Sequence, residues 1–510
     1  MTKFAERAGR VRVTAMLLFA ALATSYVALS PGSIAGQGYT GEEIDSGLRM
    51  LEVSTAWMKG RPIPPMVWSR HGPLPVLFDL PFLKLGKLMV SPDFMLSFAP
   101  ALFTAGLVAI LYSWLRKLCS PGMSLFLSLT AAFGTMLWPY AYIGLETKQS
   151  FLVFLAGYLA LADGKIRTWP RVLLLAAICA LSISVKSTGI TLVPVVAYLY
   201  FVQFRDGWRS QRAKILASIL IIATIWAFSH WGTNAFWAPR GGGGSNLRPW
   251  LIDSPISVFI NLVGLFGSPT KGFLVYTPFL IASIYAVPRA YRVRRELTIY
   301  AVLVTACTLS LLVLLKYPTD EVWGPRYLHL SIAPLTLCIG AAWPRFRWRA
   351  EGAALAALAL VGLVISFFGA FYYYGVRDFA MTEASQNTLE RIEGDNDWNH
   401  ILFNARLFRV WLSNNSGAPV LWTPQHTWIW APPSDAPPWK TINLTNYCPP
   451  QSFLVRFWHV PKQGRVQTIF AVYLLCLVAG VFLLGWVVLR SVREQRMWSP
   501  EGEGRICETT

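Results

Sequence analysis

Apolar stretches long enough to cross a bilayer recur along almost the whole chain, with short basic clusters between them. About 20 apolar residues span the hydrocarbon. By that measure about twelve runs qualify: 13–30, 94–115, 123–141, 150–162, 172–184, 188–202, 215–231, 273–287, 297–315, 328–343, 353–371 and 468–489. The mean hydropathy of +0.45 agrees, since soluble chains rarely reach it. The third to sixth runs are crowded, and some are shorter than a full span.

The basic residues test the parity of this count. With the N-terminus inside, alternate loops hold Arg116 and Lys117, then Lys165, Arg167 and Arg171, then Arg205, Arg209, Arg212 and Lys214. The next hold Arg289, Arg292, Arg294 and Arg295, then Arg345, Arg347 and Arg349, and the tail holds Arg490, Arg493 and Arg496. Every cluster falls on the inner side under twelve spans, as the positive-inside rule requires. The expectation is an all-α polytopic protein of the inner (plasma) membrane with both termini cytoplasmic. The net charge of +19 is then a property of loops. It does not form one continuous basic face, so nucleic acid is excluded as a partner.

The N-terminal run carries a basic flank of Lys3, Arg7, Arg10 and Arg12. Its apolar part exceeds the ~7–15 residues of a signal peptide core, so a retained first span is expected. Seven cysteines show no CxxC spacing and no disulfide framework. Most lie in apolar runs, where a thiol packs as a small hydrophobe.

The domain layout follows. Residues 1–371 form the transmembrane region, with a first external loop at 32–92. Residues 372–467 form an extracytoplasmic domain whose fold the sequence does not define. Residues 468–489 are the last span, and 490–510 a cytoplasmic tail. Within the first loop, Ile44, Leu48, Leu51, Thr55 and Met58 have the spacing of a helix lying on the membrane surface.

Chemistry-bearing residues gather on the outer side. Glu42, Glu43 and Asp45 open the first loop, and Arg70 and His71 follow. Glu146 and Lys148 precede the fourth run, Lys186 ends the fifth, and Arg326 and Tyr327 precede the tenth. A carboxylate near a hydroxyl can act as a base; the same acids also suit a helix N-terminus. A guanidinium presents a fork matched to phosphate oxygens; it can also snorkel at a helix end. Lys148 has the alternative of pairing with Glu146. An ionisable group at the depth of Lys186 is a functional candidate by default. Gly241–Gly244 lacks the Lys-Ser/Thr of a phosphate-binding loop and reads as a flexible connection.

The order of these segments resembles the GT-C glycosyltransferases, a superfamily that includes protein O-mannosyltransferases and aminoarabinose lipid A transferases. Gly41-Glu42-Glu43, the surface helix, Arg70-His71-Gly72-Pro73-Leu74 and Lys84-Leu85-Gly86 are similar to that family's first external loop. Glu42 stands where Asp is usual, and Gly72 replaces the first Pro of the His-Pro-Pro-Leu pattern. Trp138-Pro139-Tyr140 followed by Glu146-Thr147-Lys148 resembles its second acidic site. Leu265 to Phe273 with Tyr276-Thr277-Pro278, and Gly324-Pro325-Arg326-Tyr327-Leu328, resemble segments of bacterial members. The resemblance covers about residues 1–375.

It implies inverting transfer of a sugar from a polyprenyl-phosphate donor to an extracytoplasmic acceptor, which is a protein, glycan or lipid. Glu42 or Glu43 would be the base, with Glu146 as the second acid. Arg326 would steady the departing phosphate, with Tyr327 beside it and Lys148, Arg70, His71 and Lys186 as further substrate contacts. No cofactor is expected; a divalent metal held by His71 with Glu42 or Glu43 is the alternative. A transporter or flippase of a lipid-linked sugar is the rival reading. It calls for ionisable groups near the midplane with broken helices around them.

Overall fold

The computed structural model describes residues 2–30, 52, 59, 73–88, 95–96, 98–142, 144–162, 168–230, 254–268, 272–314, 324–345, 349–371 and 464–496. Between 372 and 463 it describes residues 401–402, 404–405, 408, 421–422, 428–429 and 442–443. The described chain is helical apart from β1 (Leu421–Trp422), β2 (Trp428–Ile429) and β3 (Ile442–Asn443), which pair antiparallel in the order β2-β1-β3.

The long helices are α1 (Thr2–Leu29), α2 (Pro73–Leu88) and α3 (Phe98–Leu115). Then come α4 (Pro121–Phe133), the single turn α5 (Leu137–Tyr140), α6 (Gly144–Leu161), α7 (Trp169–Ser184), α8 (Val193–Phe204) and α9 (Arg212–His230). The rest are α10 (Pro255–Gly267), the turn α11 (Phe273–Tyr276), α12 (Ile281–Val293), α13 (Arg295–Leu314), α14 (Ile332–Ala342), α15 (Arg349–Phe371) and α16 (Gly464–Arg496). Among the described residues, six helices are long and apolar enough to cross a membrane: those of α1, α3, α9, α13, α15 and α16. This is half the expected number of full spans, although each of the remaining runs contains a helix of its own.

Local sequence explains why those runs are short. The run at 123–141 stops at Phe133, where Gly134 caps α4, and resumes only as the single turn Leu137–Tyr140. The run at 273–287 breaks at Thr277, held at φ −139° by the Pro278 that follows it, since the residue before a proline is driven out of the helical region. The runs at 188–202 and 328–343 begin as 3-10 turns, Ser187–Leu192 and Arg326–Ser331, before α8 and α14 start. The fourth run begins earlier than its apolar part predicts, with α6 starting at Gly144. Residues 255–267 read as external loop in the sequence, yet they form α10. Ser254 caps this helix, Pro255 opens it, and Ile256, Phe259, Ile260 and Val263 on it are exposed.

Side-chain locks at both ends fix how the helices run. At one end Glu494 of α16 meets Arg116 after α3 at 3.5 Å and Thr14 of α1 at 3.3 Å. Arg205 after α8 pairs with Glu296 of α13 at 2.7 Å, and Tyr285 of α12 donates to Glu351 of α15. These contacts gather the basic clusters at a single end. At the other end Ser30 after α1 meets Tyr473 of α16 at 2.8 Å. Among the described residues, most of the interior is a single large apolar cluster that includes buried Cys119, Cys179, Cys307 and Cys338. Close helix approach rests on small residues: a Cβ on Gly362 of α15 would lie 2.3 Å from the Gly134 carbonyl oxygen.

Candidate functional site

At the end of the bundle opposite the basic clusters, three segments distant in sequence converge. The first turn of α6 brings Glu146, placed where a carboxylate suits a helix N-terminus. Lys186 lies between α7 and the following 3-10 turn, in extended backbone at φ −143° and ψ 143°. Arg326 opens the 3-10 turn that leads into α14. Just before it, Gly324 takes φ 63°, and a side chain there would come within 2.7 Å of Met136 Sδ and press on Tyr276. Glycine is therefore required to bring the chain back into the bundle at this point.

Glu146 is 0% exposed. Its Oε1 accepts from Lys186 Nζ, itself 2% exposed, and lies 3.4 Å from Arg326 Nε. Tyr327 completes the group. Lys186 Nζ sits 4.2 Å from the centre of its ring, the Arg326 guanidinium carbon 4.8 Å from that centre, and Arg326 Nη2 donates to its hydroxyl at 2.9 Å. Among the described residues, one carboxylate here faces two cations. Of the three charged members, Arg326 is the one partly exposed, at 17%. Preorganised cations of this kind stabilise an anion that water does not reach.

The same turns carry a second layer. His329 Nδ1 is 2.7 Å from Ser150 Oγ, and its ring lies 5.1 Å from that of Tyr140. Gln149 donates to the Ser182 carbonyl at 3.1 Å, tying α6 to the end of α7. A Cβ on Gly189 would lie 2.4 Å from the Ile183 carbonyl, so the 3-10 turn after Lys186 packs directly on α7.

Of the residues singled out in the sequence, Glu146, Lys186, Arg326 and Tyr327 meet in one cluster. Lys148 does not join it. It donates to Asp79 of α2 at 2.6 Å and to the Pro75 carbonyl at 3.3 Å. Residues i and i+2 of an α-helix do not share a face, so Glu146 and Lys148 point apart and the pairing weighed between them does not form. Glu42, Glu43, Asp45, Arg70, His71 and most of the surface-helix pattern at 44–58 lie outside the described residues, as does the metal set built on His71. Asp79, Ser150 and His329 were not read from the sequence. The signal for His329 was present, as an ionisable residue inside the apolar run 328–343; Asp79 lies in the stretch read as the first external loop and had no such signal.

An open apolar groove of about 720 Å³ lies on another part of the bundle. It is lined by Leu262 and Phe266 of α10, Leu274 and Val275 of α11, Ile281 of α12 and Val361 of α15, among others. The turn α11 separates it from Gly324, because Tyr276 packs against that glycine.

Fold and site together define a helical membrane protein with a buried, ion-paired cluster at one end of its bundle. Comparison with protein-family models, curated proteins and solved structures gives no match to this chain.

Proposed function

We propose that this chain is a twelve-span membrane glycosyltransferase of GT-C type. It moves a sugar from a polyprenyl-phosphate donor to an acceptor hydroxyl or amine on the extracytoplasmic face of the plasma membrane. The observation that carries this reading is the Glu146–Lys186–Arg326 cluster, which sits at the end opposite the basic loops. By the positive-inside rule that end faces outward. Two cations held on one buried carboxylate at that end suit the anionic head of a lipid substrate.

In the transfer, a carboxylate of the first loop, Glu42 or Glu43, takes the proton of the acceptor. The acceptor oxygen or nitrogen bonds to the anomeric carbon as the bond to the lipid phosphate breaks with inversion. Arg326 meets the charge that develops on the leaving phosphate, while Glu146 holds Arg326 and Lys186 in place. The test is incubation of the purified protein with a panel of radiolabelled polyprenyl-phosphate sugars and membrane extract as acceptor. Release of lipid phosphate from one of them sustains the reading; intact donors throughout overturn it.

One observation favours the rival. Lys186 and Arg326 both lie where helices are broken, and α11 and α12 are broken again at Thr277. Transporters build their sites from such discontinuous helices. Reconstitution into liposomes separates the two readings: the transporter moves a lipid-linked sugar between leaflets without cleaving it.

A further inference from the structure

Two turns run side by side at the site. Glu146 and Ser150 are four apart on α6 and share a face. Arg326 and His329 are three apart in a 3-10 turn, where such residues eclipse. Arg326 meets Glu146, and His329 meets Ser150. The two spacings match, since four α-helical residues and three 3-10 residues each rise about 6 Å.

This pairing leaves two polar atoms over. Glu146 Oε2 and His329 Nε2 are buried and have no hydrogen-bond partner among the described residues. Both residues are at least 99% buried. Leaving such atoms unmade is costly, so they mark a place where a polar group belongs. The carboxylate oxygen only accepts. His329 Nε2 is the ring nitrogen that Ser150 does not use, and it donates when the Ser150 hydroxyl donates to Nδ1. A hydroxyl-bearing ring satisfies both, giving a proton to one and taking one from the other.

We propose that Glu146 Oε2 and His329 Nε2 form a hydroxyl-recognition pair for the sugar of the lipid-linked substrate, inward of the Arg326 guanidinium that meets the phosphate. This rests on the transferase reading and adds the residues that tell a glycosylated lipid from a bare one. Glu146 thereby serves both parts of the substrate, with one oxygen on the cations and the other on the sugar.

The experiment compares binding of two probes to the purified full-length protein in nanodiscs. One probe is polyprenyl phosphate and the other is the polyprenyl-phosphate sugar that the panel above identifies. The wild-type protein is expected to prefer the glycosylated lipid by about tenfold, one hydrogen-bonding site's worth. In His329→Phe the preference falls to about one, and in His329→Gln, which keeps a polar head, part of it is retained. If His329→Phe does not fold, Ser150→Ala decides, because it removes the group that orients the ring: a reduced preference sustains the pair. A preference unchanged in a folded His329→Phe or in Ser150→Ala overturns the pair alone, as does a wild type that binds both lipids equally. A wild type that binds neither overturns the transferase reading with it.

Discussion

Asp79 and Lys148 meet at 2.6 Å with both side chains 1% exposed, joining α2 to α6 across 69 positions of sequence. Around this pair Phe78 packs edge-on against Phe103 of α3, and Leu83 packs with Leu96 and Ala99. Helix α2, in the segment expected as the first external loop, is therefore pinned by a buried charge pair with a small apolar patch beside it. Lys148 leaves α6 two residues after Glu146, so the same helix carries the loop's anchor on one face and the anion cluster on the other.

Breaking the pair on one side strands a buried charge, which typically costs about 3–5 kcal/mol. Asp79→Ala and Lys148→Ala are each expected to lower the thermal midpoint in detergent. The double replacement Asp79→Leu with Lys148→Leu is expected to recover part of the loss, because neither member of the pair is then left without the other. Thermal unfolding followed by tryptophan fluorescence reads this directly. Single variants as stable as the wild type would show that the pair does not hold α2.

Arg326 is expected to govern the anionic head of the substrate. Arg326→Ala should weaken binding of polyprenyl phosphate by tenfold or more, and Arg326→Lys should restore part of it, since lysine keeps the charge but loses the fork. Titration of the lipid into reconstituted protein measures both. Unchanged affinity in the alanine variant would remove Arg326 from that role.

For the base, Glu42→Gln and Glu43→Gln are to be assayed separately. One of the two is expected to lose transfer by at least about 100-fold, the scale of a positioned general base, with donor binding kept. Normal turnover in both variants would place the base elsewhere.

Orientation has its own test. In a background without native cysteines, a cysteine replacing exposed Asp206, at the basic end, should react with a membrane-impermeant maleimide only after permeabilisation. A cysteine replacing exposed Lys87 at the end of α2 should react in intact cells. Labelling of both from the same side would overturn the twelve-span path.

Close packing gives a last expectation. Gly362→Ala places a methyl group against the Gly134 carbonyl, a rigid neighbour. Its thermal midpoint should fall, as overpacking of a tight site costs about 1–3 kcal/mol. An unaffected midpoint would mean that α4 and α15 have room to separate.

The sequence marked the helical regions well, because hydropathy and loop charge both act locally along the chain. It overstated the number of full-length spans, because a run of apolar residues does not show that Pro278 or Gly134 interrupts the hydrogen-bond ladder within it. It also missed α10, whose apolar face is short enough to hide in a loop. Lys186 stood out because lysine is expensive at that depth. Its partner Glu146 is 40 residues away and becomes visible only once α6 and α7 lie side by side. Lys148 shows the converse: the sequence left it the alternative of pairing with Glu146, and it does not show that Asp79 lies opposite.

The pairing of α1 with α16 bears on how the protein is made. Gly480 lets α16 settle directly on Ser25 and Thr24, and Ser30 and Thr14 find Tyr473 and Glu494 at the two ends. Helix α1 thus completes its packing with a helix made much later in translation. Until α16 is made, the hydroxyl-lined flank of α1 waits for its partner. A nascent chain halted before residue 464 would expose that flank, and such a flank is what membrane quality-control machinery would be positioned to detect.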